Sequence, residues 1–267
     1  MTFEKNTFKK RLKSMLRVDM RRMFFSPLLY VMLGVCLVMP ILIFVMTTMM
    51  DGTVSVNPQT GAETVIEGFD NAWQIIGSVT TAGANMSAGM SITSMCNINM
   101  LYFLIAALAC IFVSTDFKSG YSKNLFTVRA KKTDYVISKT VVCFLGGALM
   151  IIAFFIGSLI GGAISGLPFE MVGFGAFNLI MCVLSKIFIV LVFVPLYITM
   201  SVVAKQRAWL SILLSLATGM LMFMMIPMLS PLDAGALNVL LCIAGGGVLA
   251  VGMGAISNLV LKKTSLI

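Results

Sequence analysis

The chain contains no histidine. Histidine-based triads, zinc-protease helices and imidazole proton relays are thereby excluded. It has no Gly-x-x-x-x-Gly-Lys-Ser/Thr stretch, so it carries no P-loop to cradle nucleotide phosphates. Hydroxyls are frequent, but no activating base accompanies them, and a nucleophilic enzyme needs both. Charge is scarce: Asp, Glu, Lys and Arg make up 11% of 267 residues, where a soluble domain carries about a quarter. Of the six cysteines, Cys36, Cys110, Cys143, Cys182 and Cys242 sit in apolar runs and Cys96 at the outer end of one. They form no disulfide framework and no paired ligand spacing. The 23 methionines are spread along the chain, which suits flexible packing rather than a copper site.

What is present is apolar. Hydrophobic residues reach 59% and the mean hydropathy is +1.02, the composition of an integral membrane protein. In a soluble protein the net charge of +9 would suggest nucleic acid. Here its distribution sets orientation instead. Residues 1–27, residues 115–139, the Lys205–Arg207 turn and the Lys262–Lys263 pair hold 18 of the 19 lysines and arginines. The segments alternating with them carry Asp51, Glu63, Glu67, Asp70, Glu170 and Asp233. The positive-inside rule places the basic segments, and both termini, in the cytoplasm. We therefore expect an all-α, multi-pass protein of the plasma membrane, with no nucleic-acid partner.

The predicted organisation is an interfacial helix, 1–27, followed by a single six-span domain, 28–267. Phe8, Leu12, Met15, Leu16, Met20, Met23 and Phe24 form one stripe, with Arg17 and other cations opposite. That is the pattern of a helix lying on the inner leaflet. The basic region is too long for a cleaved signal. Pro27 opens the first span, Leu28 to Met50, long enough for a hydrocarbon core of ~30 Å. Residues 51–97 lie outside. Alternating runs flank a turn at Asn57–Gly61 and predict a small hairpin. The Gly-, Ser-, Asn- and Met-rich stretch 72–97 suits an outer-leaflet helix or the lining of an outward cavity. Further spans are expected at about Ile98–Ser114, Thr140–Ser165, Lys186–Ala204, Ala208–Met228 and Gly235–Leu261. Gly157 and Gly161, like Gly162 and Gly166, have the spacing that lets membrane helices approach closely. The 19-residue count from Lys186 to Ala204 places Lys186 at the outer interface, where its chain can snorkel. If the span instead starts at Phe174, Lys186 lies near the midplane, a costly position that is functional by default. No Asp or Glu falls inside an expected span, which disfavours an ion-coupled carrier.

The inner segment 115–139 has its own order. Phe117, Tyr121, Leu125 and Val128 recur at helical spacing after Asp116, so a short amphipathic helix is expected. Composition alone leaves two readings: a docking handle, or a solvated loop that only fixes topology.

The motif Asp116-Phe-Lys-Ser-Gly-Tyr-Ser-Lys-Asn-Leu, followed by Tyr135 and Ser138-Lys139, resembles the inner loop of type-2 ABC exporter permeases. Among these are the permeases of antimicrobial-peptide resistance and lantibiotic-immunity systems. The likeness extends to the whole layout of basic helix, large outer loop and six spans. It implies that this loop holds a coupling helix docking into a separate ATP-binding subunit, with Phe117, Gly120, Tyr121, Lys123, Asn124 and Leu125 as coupling residues. It implies that the first helix, through Phe8, Leu12, Leu16, Arg17, Met20 and Phe24, contributes to the same surface. It further implies a dimer with a second permease copy or paralogue, associated through first and fifth spans. The chain itself would bind no cofactor and catalyse nothing; ATP and Mg would belong to the partner. Against this export permease stands a non-transporting immunity or sensor protein that binds a peptide at its outer face.

Overall fold

In a computed structural model the chain is described over residues 8–56, 63–65, 68–79, 96–128, 131–205, 207–223 and 225–263. Nine helices carry the architecture among the described residues: α1 (Phe8–Phe24), α2 (Pro27–Met50), α3 (Leu101–Lys118), α4 (Tyr121–Val128), α5 (Lys132–Ile164), α6 (Ala176–Ala204), α7 (Ala208–Phe223), α8 (Ile226–Leu229) and α9 (Ala236–Lys263). Five segments are long and apolar enough to cross a membrane: α2, α3 with its leading turn, α5, α6 and α9. This is a multi-pass membrane protein. The expected fifth span, Ala208 to Met228, is not one continuous helix. It stops at Phe223, and the short α8 follows with Pro227 in its first turn, where a missing N–H costs nothing.

The same logic starts α2. Ser26 caps it, its Oγ accepting from the Leu28 N–H at 3.3 Å, and Pro27 occupies the first turn. The helix α6 is the hub, packing on α9, α7, α3 and α5, while α2 lies mainly along α5. The expected close approach occurs there. A Cβ on Gly157 would run into the Leu37 carbonyl oxygen, and one on Gly161 would sit 2.9 Å from Ile41 Cα. Gly162 serves another contact, against Ala72 and Phe169.

The predicted hairpin is present. Strands β1 (Val54–Val56) and β2 (Glu63–Val65) pair antiparallel, Val54 opposite Val65 and Val56 opposite Glu63; the expected turn lies outside the described residues. At this end of the bundle residues 68–79 fold back onto the helices. Ala72 N donates to Pro168 O at 3.1 Å, Asn71 Nδ2 to Glu170 O at 2.6 Å, and Leu232 N to Ser78 O at 2.9 Å. Of the stretch 72–97, Ala72–Ile75 forms a 3-10 turn and Ile98–Met100 another just beyond it. Residues 80–95 lie outside the described set.

Candidate functional site

On α1, Met15, Asp19 and Met23 follow at four-residue spacing and are buried together. That face meets α5, so an acid is carried into an apolar contact. Its partners come from α5: Ser138 Oγ donates to Asp19 Oδ2 at 2.6 Å and Lys139 Nζ to Asp19 Oδ1 at 2.8 Å. Lys139 Nζ also lies 2.6 Å from Asp116 Oδ2, in the last turns of α3. Tyr135 OH donates to that same oxygen at 3.1 Å, and Arg22 Nη2 pairs with Asp116 Oδ1 at 2.7 Å. Two cations and two carboxylates thus form one neutral cluster across α1, α3 and α5.

Aromatic rings close it. Lys139 Nζ sits 4.1 Å from the Phe112 ring centre, and the Arg22 guanidinium lies 4.2 Å over Tyr121 of α4. Ring faces attract cations, the more so where water is absent. Burial by itself would lower the pKa of Arg22; the charge and hydrogen bond of Asp116 outweigh it and hold the guanidinium above its ordinary value. Burial, with Asp19 adding, pushes the Tyr121 phenol up against the opposing pull of Arg22. Both groups therefore stay in one protonation state at physiological pH. A second pair, Arg11 Nε to Asp134 Oδ2 at 3.1 Å, ties the start of α1 to α5.

No described group of three or more His, Cys, Asp or Glu side chains could hold a metal. Buried charges cost several kcal/mol each unless paired and hydrogen-bonded. Here the pairing fixes α1 and α4 to the adjoining ends of α3 and α5. The arrangement can therefore transmit a displacement between these helices.

The expected coupling residues all lie on or beside α4, but they divide. Phe117 is buried, Tyr121 is covered by Arg22, and Leu125 packs on the core. The apolar side faces the chain's own bundle. Lys118, Lys123, Asn124 and Thr127 point outward. Gly120 turns the chain from α3 into α4 at φ +72, a left-handed conformation in which a Cβ is strained. On α1, Leu16, Met20 and Phe24 pack against the core, Leu12 is half-buried, and Phe8 and Arg17 are exposed. The stripe thus meets α5 as well as any leaflet. None of Asp19, Arg22, Asp116, Ser138 and Lys139 is among the expected site residues, although Asp116, Ser138 and Lys139 lie in the motif that carries the resemblance.

Lys186 is not at the end of a helix. The helix α6 begins at Ala176, ten residues earlier, and Lys186 is 1% exposed. Its Nζ donates to Asn99 Oδ1 at 3.1 Å and Ser230 Oγ at 3.0 Å. The helix thus begins before the expected Lys186, and the ammonium ends on buried polar partners, the apolar run continuing on both sides of it. Against known proteins the chain matches no family model, no curated protein and no solved structure.

Proposed function

We propose that this chain is the permease subunit of a type-2 ABC exporter, a six-span protein of the plasma membrane with both ends in the cytoplasm. It works with a second permease copy and a separate ATP-binding subunit to move a peptide, lipid-like or drug-like substrate outward. The sixth crossing in this reading is α7 continued by α8; α7 alone has 16 residues, about 24 Å of helix. The observation that carries the proposal is the neutral cluster of Asp19, Arg22, Asp116 and Lys139. A chain with no P-loop needs an external engine, and this cluster makes α1, α4 and the inner ends of α3 and α5 one body. A push on the outer face of α4 would then move two crossing helices together, biasing inward- and outward-open populations.

The engine docks, in this reading, on the polar outer face of α4 rather than on its apolar side. The tagged chain, isolated from its native membrane, should bring down a soluble ATPase in stoichiometric amount. The double substitution Lys118→Glu, Lys123→Glu should weaken that complex at least tenfold, with a strong salt dependence, and leave the thermal midpoint unchanged. An ATPase that stays bound at full yield to this variant would contradict the docking face. Absence of any ATPase would favour the immunity or sensor reading.

Orientation has its own test. Five cysteines are buried and only Cys96 is part-exposed, so Cys96→Ser gives a background unreactive to polar maleimides. In whole cells Thr53→Cys should label directly and Lys131→Cys only after permeabilisation. Labelling of position 131 from outside would overturn the topology.

A further inference from the structure

At the hairpin end of the bundle lies a cavity of about 300 Å³, lined by Gln74, Ser78, Asn97, Asn99, Lys186 and Ser230 together with Phe69, Gly77 and Pro227. Its size is at the lower end of small-ligand sites. Its polar groups are amides and hydroxyls set among apolar surface, and the one charge among its lining residues is the Lys186 ammonium. Two of that ammonium's three N–H groups are engaged by neutral oxygens, of Asn99 and Ser230. The Ser230 hydroxyl in turn donates to Ile226 O at 2.9 Å, which fixes its lone pairs toward Lys186. Among the described residues no carboxylate forms an ion pair with Lys186. The contrast with Lys139 is direct: that buried ammonium touches two carboxylates. A buried cation without a counter-charge is expensive. The neighbouring space offers amide and hydroxyl groups and is large enough to hold an anionic partner.

We propose that this cavity binds an oxyanion, the carboxylate or phosphate group of a ligand, with Lys186 as its charge partner and the cavity amides and hydroxyls completing its hydrogen bonds. A carboxylate or phosphate accepts several such bonds, and those from an ammonium are the stronger kind. The volume admits a small acid or a headgroup rather than a whole amphiphile. The inference is independent of the engine that drives the protein.

Trp73 adjoins Gln74, and the only other tryptophan is Trp209. In a Trp209→Phe background, Trp73 emission therefore reports on this end of the molecule. The protein is placed in nanodiscs of zwitterionic lipid and titrated with N-acetylglycine or inorganic phosphate. A parallel series raises the phosphatidylglycerol content of the discs. A saturable change with the soluble anions identifies a soluble ligand; saturation with phosphatidylglycerol alone identifies a lipid headgroup. Either supports the site. Asn99→Asp supplies an internal carboxylate within 3.1 Å of Nζ, the present Asn99 spacing. It should raise the thermal midpoint and weaken the anion at least tenfold. Lys186→Gln should weaken it equally; if that variant does not fold, Asn99→Asp decides alone. The proposal is overturned if no probe gives a saturable response, or if wild type and Asn99→Asp titrate identically.

Discussion

Lys139→Met is expected to destabilise the protein by about 3–5 kcal/mol, the cost of breaking a buried ion cluster from one side. Methionine fills nearly the same space, so packing changes little. What changes is charge: Asp19 and Asp116, both buried, keep only Arg22, which is 4.0 Å from the first and 2.7 Å from the second. Adding Asp19→Asn restores neutrality, leaving Arg22 with Asp116. The double variant should therefore be more stable than the sum of the two single losses, by roughly 0.5–3 kcal/mol for groups in one network. Lys9→Met on the exposed face of α1 should shift stability by less than about 0.5 kcal/mol. The measurement is the unfolding midpoint in detergent for the wild type, the two single variants, the double variant and Lys9→Met. An unchanged midpoint for Lys139→Met would mean that the cluster does not hold the helices, and the transmission argument would lose its physical basis.

That cluster also shows why part of the molecule was legible in the sequence and part was not. Long apolar runs gave the crossing helices, and alternation around a turn gave the hairpin, because both signals are local. The helix ends flanking α4 are harder to read. Residues 115–139 read as a polar loop, yet α3 continues through Asp116 to Lys118 and α5 starts at Lys132. A charge ends a span only if it must meet water. Asp116 and Lys139 meet each other and α1, more than a hundred residues away for the contact of Asp19 with Lys139. The available hint was Asp19 itself, an acid midway between Met15 and Met23 on the apolar stripe of a basic helix. Periodicity found the apolar side of α4 correctly. It could not tell whether a partner or the chain's own bundle covers it, since both bury the same residues. The start of α6 at Ala176, ahead of Lys186, escaped for a related reason: a count of 19 residues is enough to span a bilayer, but nothing in the count requires the helix to begin there.

The second large effect is expected at Gly157, where α2 rests on α5. Helices in lipid gain little from hiding apolar surface, so close packing must hold them together. The helix α2 has few contacts apart from α5, and the approach depends on two missing side chains. At Gly157 a Cβ would collide with the Leu37 carbonyl oxygen and lie 2.8 Å from Pro40 Cγ; at Gly161 it would lie 2.9 Å from Phe44 Cδ2. The first obstacle is backbone and cannot rotate away. Gly157→Ala should cost about 1–3 kcal/mol, the usual penalty of overpacking, and Gly157→Leu enough to lift α2 from the bundle. The control lies in the same protein. Gly245 and Gly252 of α9 have open space where a Cβ would go. Alanine there should leave the midpoint unchanged or raise it, by up to about 1 kcal/mol from helix propensity alone. Equal losses at Gly157 and Gly252 would show that glycine matters here for flexibility in general, and that the crossing of α2 with α5 is not set by contact.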